Sequence, residues 1–403
     1  MAYAIGLNSG SSFDGVDAVL IELEEGADGL PTPPRYVDGL SIDWPADIQR
    51  QVLAVFANEL SVFELTRLNY VVGAVFAHAA KQLMEKHGLA PDDVDVIGYD
   101  GQTVYQEPPE HHLMATVPAD ALPWEKWTTG GYACGLQLGE PGVVAVHTDV
   151  PVVTQYRPVD HALGGTGAPL MQFLDFIAFR HEGRPIGTLN IGGISNIQVA
   201  DADRSRMKAF DCGPGNVMID HAMRRFFGRE YDADGAVAAS GIVDQAMLAE
   251  LLEHPFFARD IPRCAWRLDF GAEYAETMID RYAHLGPEDV VATLTQFSAS
   301  AIAKSFVDNV PADYGIDTLI TSGGGVRNAT MLRLIEQTLP GGIRIVVSDE
   351  VGLPAPYKEA IKFATLAFAT KRSIGDNIPA ASGAHRFGVL GKLVLPPRAA
   401  RLT

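Results

Sequence analysis

The chain has 403 residues, of which 47% are apolar and 20% are charged, and its formal net charge is −19. This composition is typical of a globular enzyme with two domains, and the acidic balance argues against nucleic acids and anionic membranes as partners. The absence of an eighteen-residue apolar run predicts no membrane span, the N-terminal sequence predicts no signal peptide, and three scattered cysteines fit a cytoplasmic protein.

Strands and helices alternate through the first half of the chain. Apolar alternation and short buried runs predict a hairpin over 1–23 and strands over 94–99 and 150–156. Helical periodicity predicts helices over 45–58, 61–88 and 171–180. Ser61 and Glu64 are expected to form a capping box at the start of the second helix. Residues 104–130 are expected to be irregular, and 157–170 to form a Gly-rich loop.

The second half follows the same alternation. The predicted strands cover 187–199 as a pair, 208–210, 318–322 and 343–347. The predicted helices cover 217–227, 243–254, 273–284, 289–310, 328–338 and 357–371. Alternating strands and helices over the whole chain predict the α/β class.

Two glycine-rich turns have the composition of phosphate-binding loops. The first runs from Gly6 to Gly15 between the strands of the opening hairpin and contains Ser11 and Ser12. The second, Gly192-Gly193, separates the strands of the pair over 187–199. Glycine lets a backbone approach an anion closely, and hydroxyls add donors. An ordinary hairpin turn explains either one alone, but their recurrence favours two related halves that bind one polyphosphate.

Four further positions carry a functional and a structural interpretation. Asp14, inside the first turn, is either a Mg²⁺ ligand or the aspartate of an Asx turn. Asp211 follows a predicted strand, where α/β proteins place reactive groups, but a turn aspartate is the alternative. The glycines at 323–325 either receive a nucleoside or make a tight turn between strand and helix. Glu359 opens a predicted helix, and favourable interaction with the helix dipole explains it without any function.

Common nucleotide and metal signatures are missing from the sequence. It contains no P-loop, no Rossmann fingerprint and no zinc spacing of cysteine and histidine. His111 and His112 are adjacent in a predicted loop, and a solvated pair is favoured over a metal site.

Nine segments, in order over almost the whole chain, resemble the anhydro-N-acetylmuramic acid kinases and the related levoglucosan kinases of the sugar kinase, Hsp70 and actin superfamily. The segments are GLNSGSSFDGVDA (6–18), DGQT (100–103), LQLGEPGVVA (136–145), GGTGAPL (164–170), LNIGGISNI (189–197), FDCGPGNVMID (210–220), YDADGAVAASG (231–241), SGGGVRN (322–328) and KEAIKFA (358–364).

The resemblance implies two RNase-H-like lobes of the actin-like ATPase type with ATP in the cleft between them. The N-terminal lobe is expected over 1–152, joined by 373–403, and the C-terminal lobe over 153–372. The implied enzyme is a homodimer that uses ATP and Mg²⁺. Water attacks the anomeric carbon of a 1,6-anhydrosugar and opens the anhydro bridge, and O6 then takes the γ-phosphoryl group. The product from 1,6-anhydro-N-acetylmuramic acid is N-acetylmuramic acid 6-phosphate.

The resemblance also implies roles for individual residues. Asp211 matches the general base that activates the water. Asp14 and Glu359 match carboxylates near Mg²⁺ and the sugar. The positions matched to ATP contacts are Gly10, Ser11, Ser12, Asp14, Gly15, Asn190, Gly192, Gly193, Gly323, Gly324, Gly325 and Asn328. The positions matched to sugar contacts are Thr103, Arg157, Gly165 and Glu359.

Departures from the family pattern concentrate around the expected sugar pocket. They are Asp100, Gln155-Tyr156, Thr166 and the segment 263–268, which includes Trp266. Muramyl enzymes commonly carry another arginine just after the position of Arg157, where this chain has Pro158 and Val159. Loss of that cation lowers the expected affinity for a lactyl carboxylate. A neutral anhydrosugar such as levoglucosan is therefore the alternative substrate. A nucleotide-binding protein without turnover and an ordinary hexose kinase are further alternatives.

Overall fold

The computed structural model describes residues 2–10, 13, 15–128, 131–265 and 267–399. It divides into two compact units: unit 1 comprises Met1–Ala178 and Tyr357–Thr403, and unit 2 comprises Phe179–Pro356. These boundaries differ from those expected from the sequence, which assigned 153–178 and 357–372 to the second lobe. The difference arises because the helix that starts at Lys358 packs on strands near the N-terminus.

Strands and helices alternate from the N-terminus to the C-terminus. The strands are β1 Ala2–Asn8, β2 Gly15–Leu23, β3 Arg35–Asp43, β4 Val94–Gly98, β5 Gln102–Glu107, β6 Cys134–Leu138, β7 Val152–Thr154, β8 Ile186–Ile191, β9 Ile194–Ala200, β10 Lys208–Pro214, β11 Thr318–Ser322, β12 Arg344–Val347 and β13 Lys392–Val394. The helices are α1 Ala46–Phe56, α2 Val62–His87, α3 His111–Met114, α4 Glu125–Thr128, α5 Pro141–Thr148, α6 Arg157–Ala162, α7 Met171–Phe179, α8 Val217–Phe227, α9 Ala236–Ser240, α10 Gln245–Leu252, α11 Arg267–Phe270, α12 Ala272–Arg281, α13 Pro287–Asn309, α14 Ala329–Thr338, α15 Lys358–Lys371 and α16 Pro379–Ser382.

The main sheet of unit 1 has the strand order β13-β7-β4-β1-β2-β3. Strands β1, β2 and β3 are antiparallel neighbours, and β4 and β7 continue the sheet in parallel with β1. A separate pair, β5 and β6, is antiparallel. The predicted opening hairpin is therefore confirmed, and it forms one side of a mixed sheet.

Unit 2 repeats the arrangement of strands β3-β2-β1-β4-β7 of that sheet. Its own sheet has the order β10-β9-β8-β11-β12, with β8, β9 and β10 antiparallel and β11 and β12 parallel to β8. Three antiparallel strands followed by two parallel ones, twice in one chain, make two RNase-H-like units. The predicted α/β class and the two related halves are confirmed.

Local sequence signals explain several helix ends. The Ser61 side chain accepts a hydrogen bond from the Glu64 amide while the Glu64 carboxylate accepts one from the Ser61 amide, so the predicted capping box of α2 is present. Gly88 ends the same helix in the left-handed conformation. Helix α13 is long and apolar enough to span a membrane, but 78% of its apolar window is buried inside the protein, as expected for a core helix.

Helix α15 lies directly on the strands that precede the site residues of unit 1. A Cβ at Gly6 would overlap the carbonyl of Ala360, and a Cβ at Gly98 would overlap the carbonyl of Phe363. The Tyr156 ring is stacked on that of Phe363, with centroids 5.7 Å apart. Two strand glycines therefore let the helix backbone approach β1 and β4 closely.

Three sequence predictions of local structure are corrected. The expected loop over 157–170 begins with helix α6. Pro158 is tolerated there because it lies in the first turn, where its missing N–H removes no helical hydrogen bond. The expected irregular stretch over 104–130 contains most of β5 and the short helices α3 and α4. The strand expected to end at Phe210 continues to Pro214, since a bulge between Asp211 and Gly213 lets the chain keep pairing with β9.

Candidate active site

Asp211 lies inside β10, not after it, and its side chain is 8% exposed. Its Oδ2 accepts a hydrogen bond of 2.7 Å from the Ala265 amide. The bulge that follows is stabilised by Gly213, whose φ of 117° favours glycine. Ser305 donates a hydrogen bond of 3.1 Å to the Cys212 carbonyl at the same point. The carboxylate is thus fixed on a rigid strand instead of a flexible loop.

Arg263 connects Asp211 to the segment that carries Ala265. The Arg263 Nε donates to the Asp211 carbonyl at 3.2 Å, and the Asp211 amide donates to the Arg263 carbonyl at 3.1 Å. The guanidinium also donates to Ser305 Oγ and lies over the Phe256 ring. Burial lowers the pKa of Arg263. From the sequence this position is only a departure from the family, because nothing in the sequence indicates a buried arginine.

The turn Gly192-Gly193 sits between β8 and β9 and is only partly buried. The Gly192 carbonyl accepts from the Asn216 amide at 2.9 Å, and the Gly193 carbonyl accepts from the Gly215 amide at 2.8 Å. Among the described residues, no backbone carbonyl accepts a hydrogen bond from the Gly193 N–H. A partly exposed amide on a fixed turn fits the role of a phosphate donor.

The glycines after β11 pack against the end of β8. A Cβ at Gly323, where φ is 85°, would lie 2.6 Å from the Ile191 carbonyl, and a Cβ at Gly325 would overlap the Ile191 side chain. Gly324 faces open space and is exposed. Ser322 Oγ donates to Asn190 Oδ1 at 3.3 Å. In unit 2 the structure therefore gathers most of the residues matched to ATP at the ends of β8 and β11.

Asn328 has a structural role in addition to the predicted one. Its Oδ1 accepts a hydrogen bond of 2.8 Å from the Met331 amide and caps α14. The cap uses the side-chain oxygen of Asn328 and not its amide nitrogen.

The first turn of unit 1 is described in part. Gly10 accepts hydrogen bonds through its carbonyl from the Phe13 amide at 3.4 Å and from Gln102 Nε2 at 3.5 Å. Gly15 starts β2, and a Cβ there would lie 2.9 Å from the Ile42 carbonyl. Phe13 is buried with a φ of 58°. Three predicted site residues, Ser11, Ser12 and Asp14, lie outside the described residues.

Arg157, predicted to contact the sugar, is paired with Asp100. Its Nε lies 2.5 Å from Asp100 Oδ2, and the side chains are 16% and 2% exposed. The other oxygen of Asp100 accepts from the Tyr156 amide at 3.2 Å. Asp100 was identified from the sequence as a departure, and the structure shows what it does: it binds the arginine.

The Gly-rich loop after α6 wraps around two buried side chains of that helix. A Cβ at Gly165 would overlap the Asp160 carboxylate, and a Cβ at Gly167 would overlap the His161 ring. Asp160 accepts hydrogen bonds from the Gly167 amide at 2.8 Å and from Ser382 Oγ at 2.9 Å. Burial raises the pKa of Asp160 and lowers the pKa of His161 to about 4. Gly165, predicted to contact substrate, thus also has a packing role.

Thr103 and Glu359 are half-buried residues of unit 1. Thr103 pairs with Gln137 across β5 and β6. Next to this pair, Gln102 Oε1 and Gln137 Nε2 are buried without a hydrogen-bond partner among the described residues. Buried polar atoms without partners are costly, so they are typical of sites that bind polar ligands. Glu359 lies in the first turn of α15.

Two buried lysines of α15 were not identified as site residues from the sequence. Lys358 forms an ion pair with Asp175, with 3.0 Å between Nζ and Oδ1, and both side chains are almost fully buried. Lys362 is 7% exposed, and its ammonium lies 4.2 Å from the centre of the Phe363 ring. The signal available in the sequence was lysine at 358 and 362 within an otherwise apolar helix.

Comparison with known proteins identifies the family of this chain. The family model described as anhydro-N-acetylmuramic acid kinase matches residues 2–396. A protein of that name from Bacillus cereus (strain ATCC 10987 / NRS 248) is 32% identical over 400 residues, covering 98% of this chain and 99% of the relative. Another from Caldanaerobacter subterraneus subsp. tengcongensis is 33% identical over 398 residues, covering 97% and 96%. The chain therefore belongs to the anhydro-N-acetylmuramic acid kinase family and is an ATP-binding phosphotransferase.

Proposed function

We propose that this enzyme hydrolyses the anhydro bridge of a 1,6-anhydrosugar and phosphorylates O6 with ATP. The proposed substrate is 1,6-anhydro-N-acetylmuramic acid, and the product is N-acetylmuramic acid 6-phosphate. The observation that carries the proposal is the buried Asp211 carboxylate, held by the Ala265 amide beside a fixed backbone. A general base must be held within reach of the proton that it removes. The hydrogen bond from the Ala265 amide fixes the position of the Asp211 carboxylate.

The reaction balances without further reactants. Asp211 takes a proton from water, the water oxygen bonds to C1, and the bond from C1 to the bridging oxygen breaks. That oxygen, now O6, bonds to the γ-phosphorus of ATP as the bond to the β-phosphate oxygen breaks and ADP leaves. The proton on Asp211 then passes to solvent. The phosphoryl step needs mainly positioning and charge neutralisation.

The same proposal assigns the nucleotide contacts. Backbone amides of the two glycine-rich turns contact the phosphates, and the 323–328 segment contacts the nucleoside. The Gly193 amide, which donates to no backbone carbonyl among the described residues, supports this assignment. Glu359 and Asp14 are the residues proposed to hold Mg²⁺, which would neutralise phosphate charge.

The first test is the Asp211→Asn variant. Loss of the base is expected to lower kcat/KM by about 100- to 10,000-fold. ADP release with 1,6-anhydro-N-acetylmuramic acid measures it, and Asp308→Asn, an exposed aspartate on α13, is the matched control that keeps full activity. Unchanged turnover in Asp211→Asn would remove the proposed base.

Labelled water tests the hydrolytic step separately. Reaction in H₂¹⁸O should place the label on C1 of the product, because water supplies that oxygen. An unlabelled product would favour an ordinary sugar kinase that acts on an open hexose. ATP binding in calorimetry with no response to any anhydrosugar would instead favour a nucleotide-binding protein without turnover.

The ion pair between Asp100 and Arg157 favours a second candidate, levoglucosan kinase giving glucose 6-phosphate. A guanidinium 2.5 Å from a carboxylate is less available to a carboxylate of the substrate. ADP release with levoglucosan, 1,6-anhydro-N-acetylmuramic acid and glucose decides between the candidates through the ratio of their kcat/KM values.

The proposal also covers the oligomeric state and the cellular location of the enzyme. We infer a homodimer from the family resemblance, and light scattering checks its mass. We infer a cytoplasmic location because the enzyme consumes ATP, and cell fractionation checks it.

A further inference from the structure

Lys362 is a buried cation in the unit that carries the predicted sugar contacts. It lies on α15, one turn after Glu359, and is 7% exposed. Its Nζ is placed over the Phe363 ring. Within the described part of the chain, no hydrogen bond or ion pair involves the Lys362 ammonium.

The charged groups that act on Lys362 include two predicted sugar contacts, Glu359 and Arg157. The others are Asp100 and Lys358. Two of the cations are already paired, Arg157 with Asp100 and Lys358 with Asp175. Glu359 attracts Lys362 electrostatically. Lys362 is thus the cation of this group without an ion-pair partner among the described residues.

An ammonium on a buried side chain that has a ring contact, but no ion pair or hydrogen bond among the described residues, is unfavourable in the free protein. Burial lowers the pKa of Lys362, which means that the charged form is destabilised where it lies. A ligand that brings an anion to the ammonium recovers part of that free energy, so the arrangement favours acidic over neutral ligands.

We propose that Lys362 binds the acidic substituent of the anhydrosugar and replaces the arginine that muramyl enzymes carry after the position of Arg157. The inference rests on the proposed function and deepens it, because it selects the substrate with a lactyl carboxylate over levoglucosan. Arg157 remains paired with Asp100, and Lys362 supplies the positive charge for the carboxylate. Lys362 is a specificity residue here, since it contacts a substituent and not the reacting atoms.

The competing explanation is that Lys362 only compensates the charge of Glu359. In that case its loss affects every sugar alike, because Glu359 acts on Mg²⁺ and the common sugar ring. Two sugars that differ in the lactyl group therefore separate the explanations.

The experiment compares wild type, Lys362→Met and Lys362→Arg. Calorimetry gives the Kd, and ADP release gives kcat/KM, for 1,6-anhydro-N-acetylmuramic acid and for 1,6-anhydro-N-acetylglucosamine, which lacks the lactyl group. Lys362→Met is expected to weaken binding of the acidic sugar about 10- to 100-fold and binding of the neutral sugar less than about threefold. Lys362→Arg is expected to recover most of the discrimination because it keeps the charge. Lys304→Met, an exposed lysine on α13, is the control.

The results with the two sugars show whether Lys362 binds the acidic substituent. Equal losses for both sugars, or no loss, overturn it while leaving the kinase proposal intact. Binding of the acidic sugar that depends on Lys362 but yields no ADP supports the inference and overturns the proposed function. If wild type binds neither sugar, both fail. Thermal melting confirms that the variants are folded, and if Lys362→Met is unfolded, Lys362→Gln takes its place.

Discussion

His161 is a buried imidazole whose neutral form is fixed by its surroundings. It lies against Gly167 and within 3.1 Å of Gln106 Nε2, and burial lowers its pKa to about 4. The nearby Arg157 charge contributes to this lowering of the pKa. At neutral pH the ring is therefore uncharged and contributes a hydrogen-bonding group, not a cation, to the polar interior of unit 1.

The lowered pKa predicts a pH-dependent stability. Because the pKa in the folded state lies below the value of about 6.5 in the unfolded chain, the contribution of His161 is complete above pH 6.5 and falls as the pH drops toward 4. Between pH 7 and pH 4.5 the free energy of unfolding should fall by about 2–3 kcal/mol because of His161. Urea unfolding at both pH values measures the loss.

The matched variant is His161→Gln, which keeps a polar side chain without a titration in this range. Its unfolding free energy should fall less than that of wild type between the two pH values. Asp160, whose raised pKa acts in the opposite direction, is present in both proteins and cancels in the comparison. Parallel pH profiles would show that His161 does not titrate as described.

The sequence predicts the chemical types of candidate site residues, but it does not predict their surroundings. Asp211 and the glycine turns became candidates through their position, their composition and the family resemblance. Lys362 and His161 were missed because burial is set by elements distant in sequence, namely the strands under α15 and the Gly-rich loop. The pairing of Asp100 with Arg157 was missed for the same reason, since the two residues are brought together by β4 and β7.

Among the elements, α15 depends most on close backbone contact. Gly98 in β4 leaves room for the Phe363 carbonyl and for the Ala367 side chain, which would lie 2.6 Å from an added Cβ. Glu359 and Lys362 are carried by this helix, so its distance from the sheet sets their positions. Packing in unit 1 and the geometry of its proposed sugar site are therefore linked.

The variant Gly98→Ala should destabilise unit 1. The added methyl group overlaps backbone that cannot move without displacing α15, and overpacking of this kind costs about 1–3 kcal/mol or more. Urea unfolding should show a lower midpoint, and kcat/KM should fall with it. Gly341→Ala, at a glycine with open space around it, should change the unfolding free energy by less than about 0.5 kcal/mol. Similar values for the two variants would contradict the packing argument.

Elements with complete local signals were predicted from the sequence. Helix α2 has its capping box and its terminal glycine, and both ends agree with the structure. Helix α6 was missed because the glycines that follow it suggested a loop throughout 157–170. The extension of β10 was missed because Gly213 and Pro214 normally end strands, whereas here a bulge accommodates them.

Across the entire protein, the same strand order occurs twice. The recurrence of glycine-rich turns was enough to predict two related halves. The unit boundaries were not predictable in the same way, because the membership of α7 and α15 depends on which sheet each helix packs against. Sequence order alone gives no information on that choice.

Nucleotide binding should stabilise the folded protein. A ligand at 100 times its Kd adds about 2.7 kcal/mol to the unfolding free energy. A non-hydrolysable ATP analogue with Mg²⁺ should therefore raise the melting temperature. Asp211→Asn should show the same rise, because this residue is proposed to act on water. If wild type shows no rise, the assignment of the glycine turns to ATP is wrong.

Unit 1 is completed by residues on both sides of unit 2, and this has a consequence during synthesis on the ribosome. Strands β1 and β4 emerge early, but the helix that covers them is translated only after all of residues 179–356. Unit 2 is contiguous and can fold as soon as it leaves the exit tunnel. The nascent N-terminal sheet meanwhile keeps an uncovered apolar face, which makes it the part of the chain that chaperones are expected to bind.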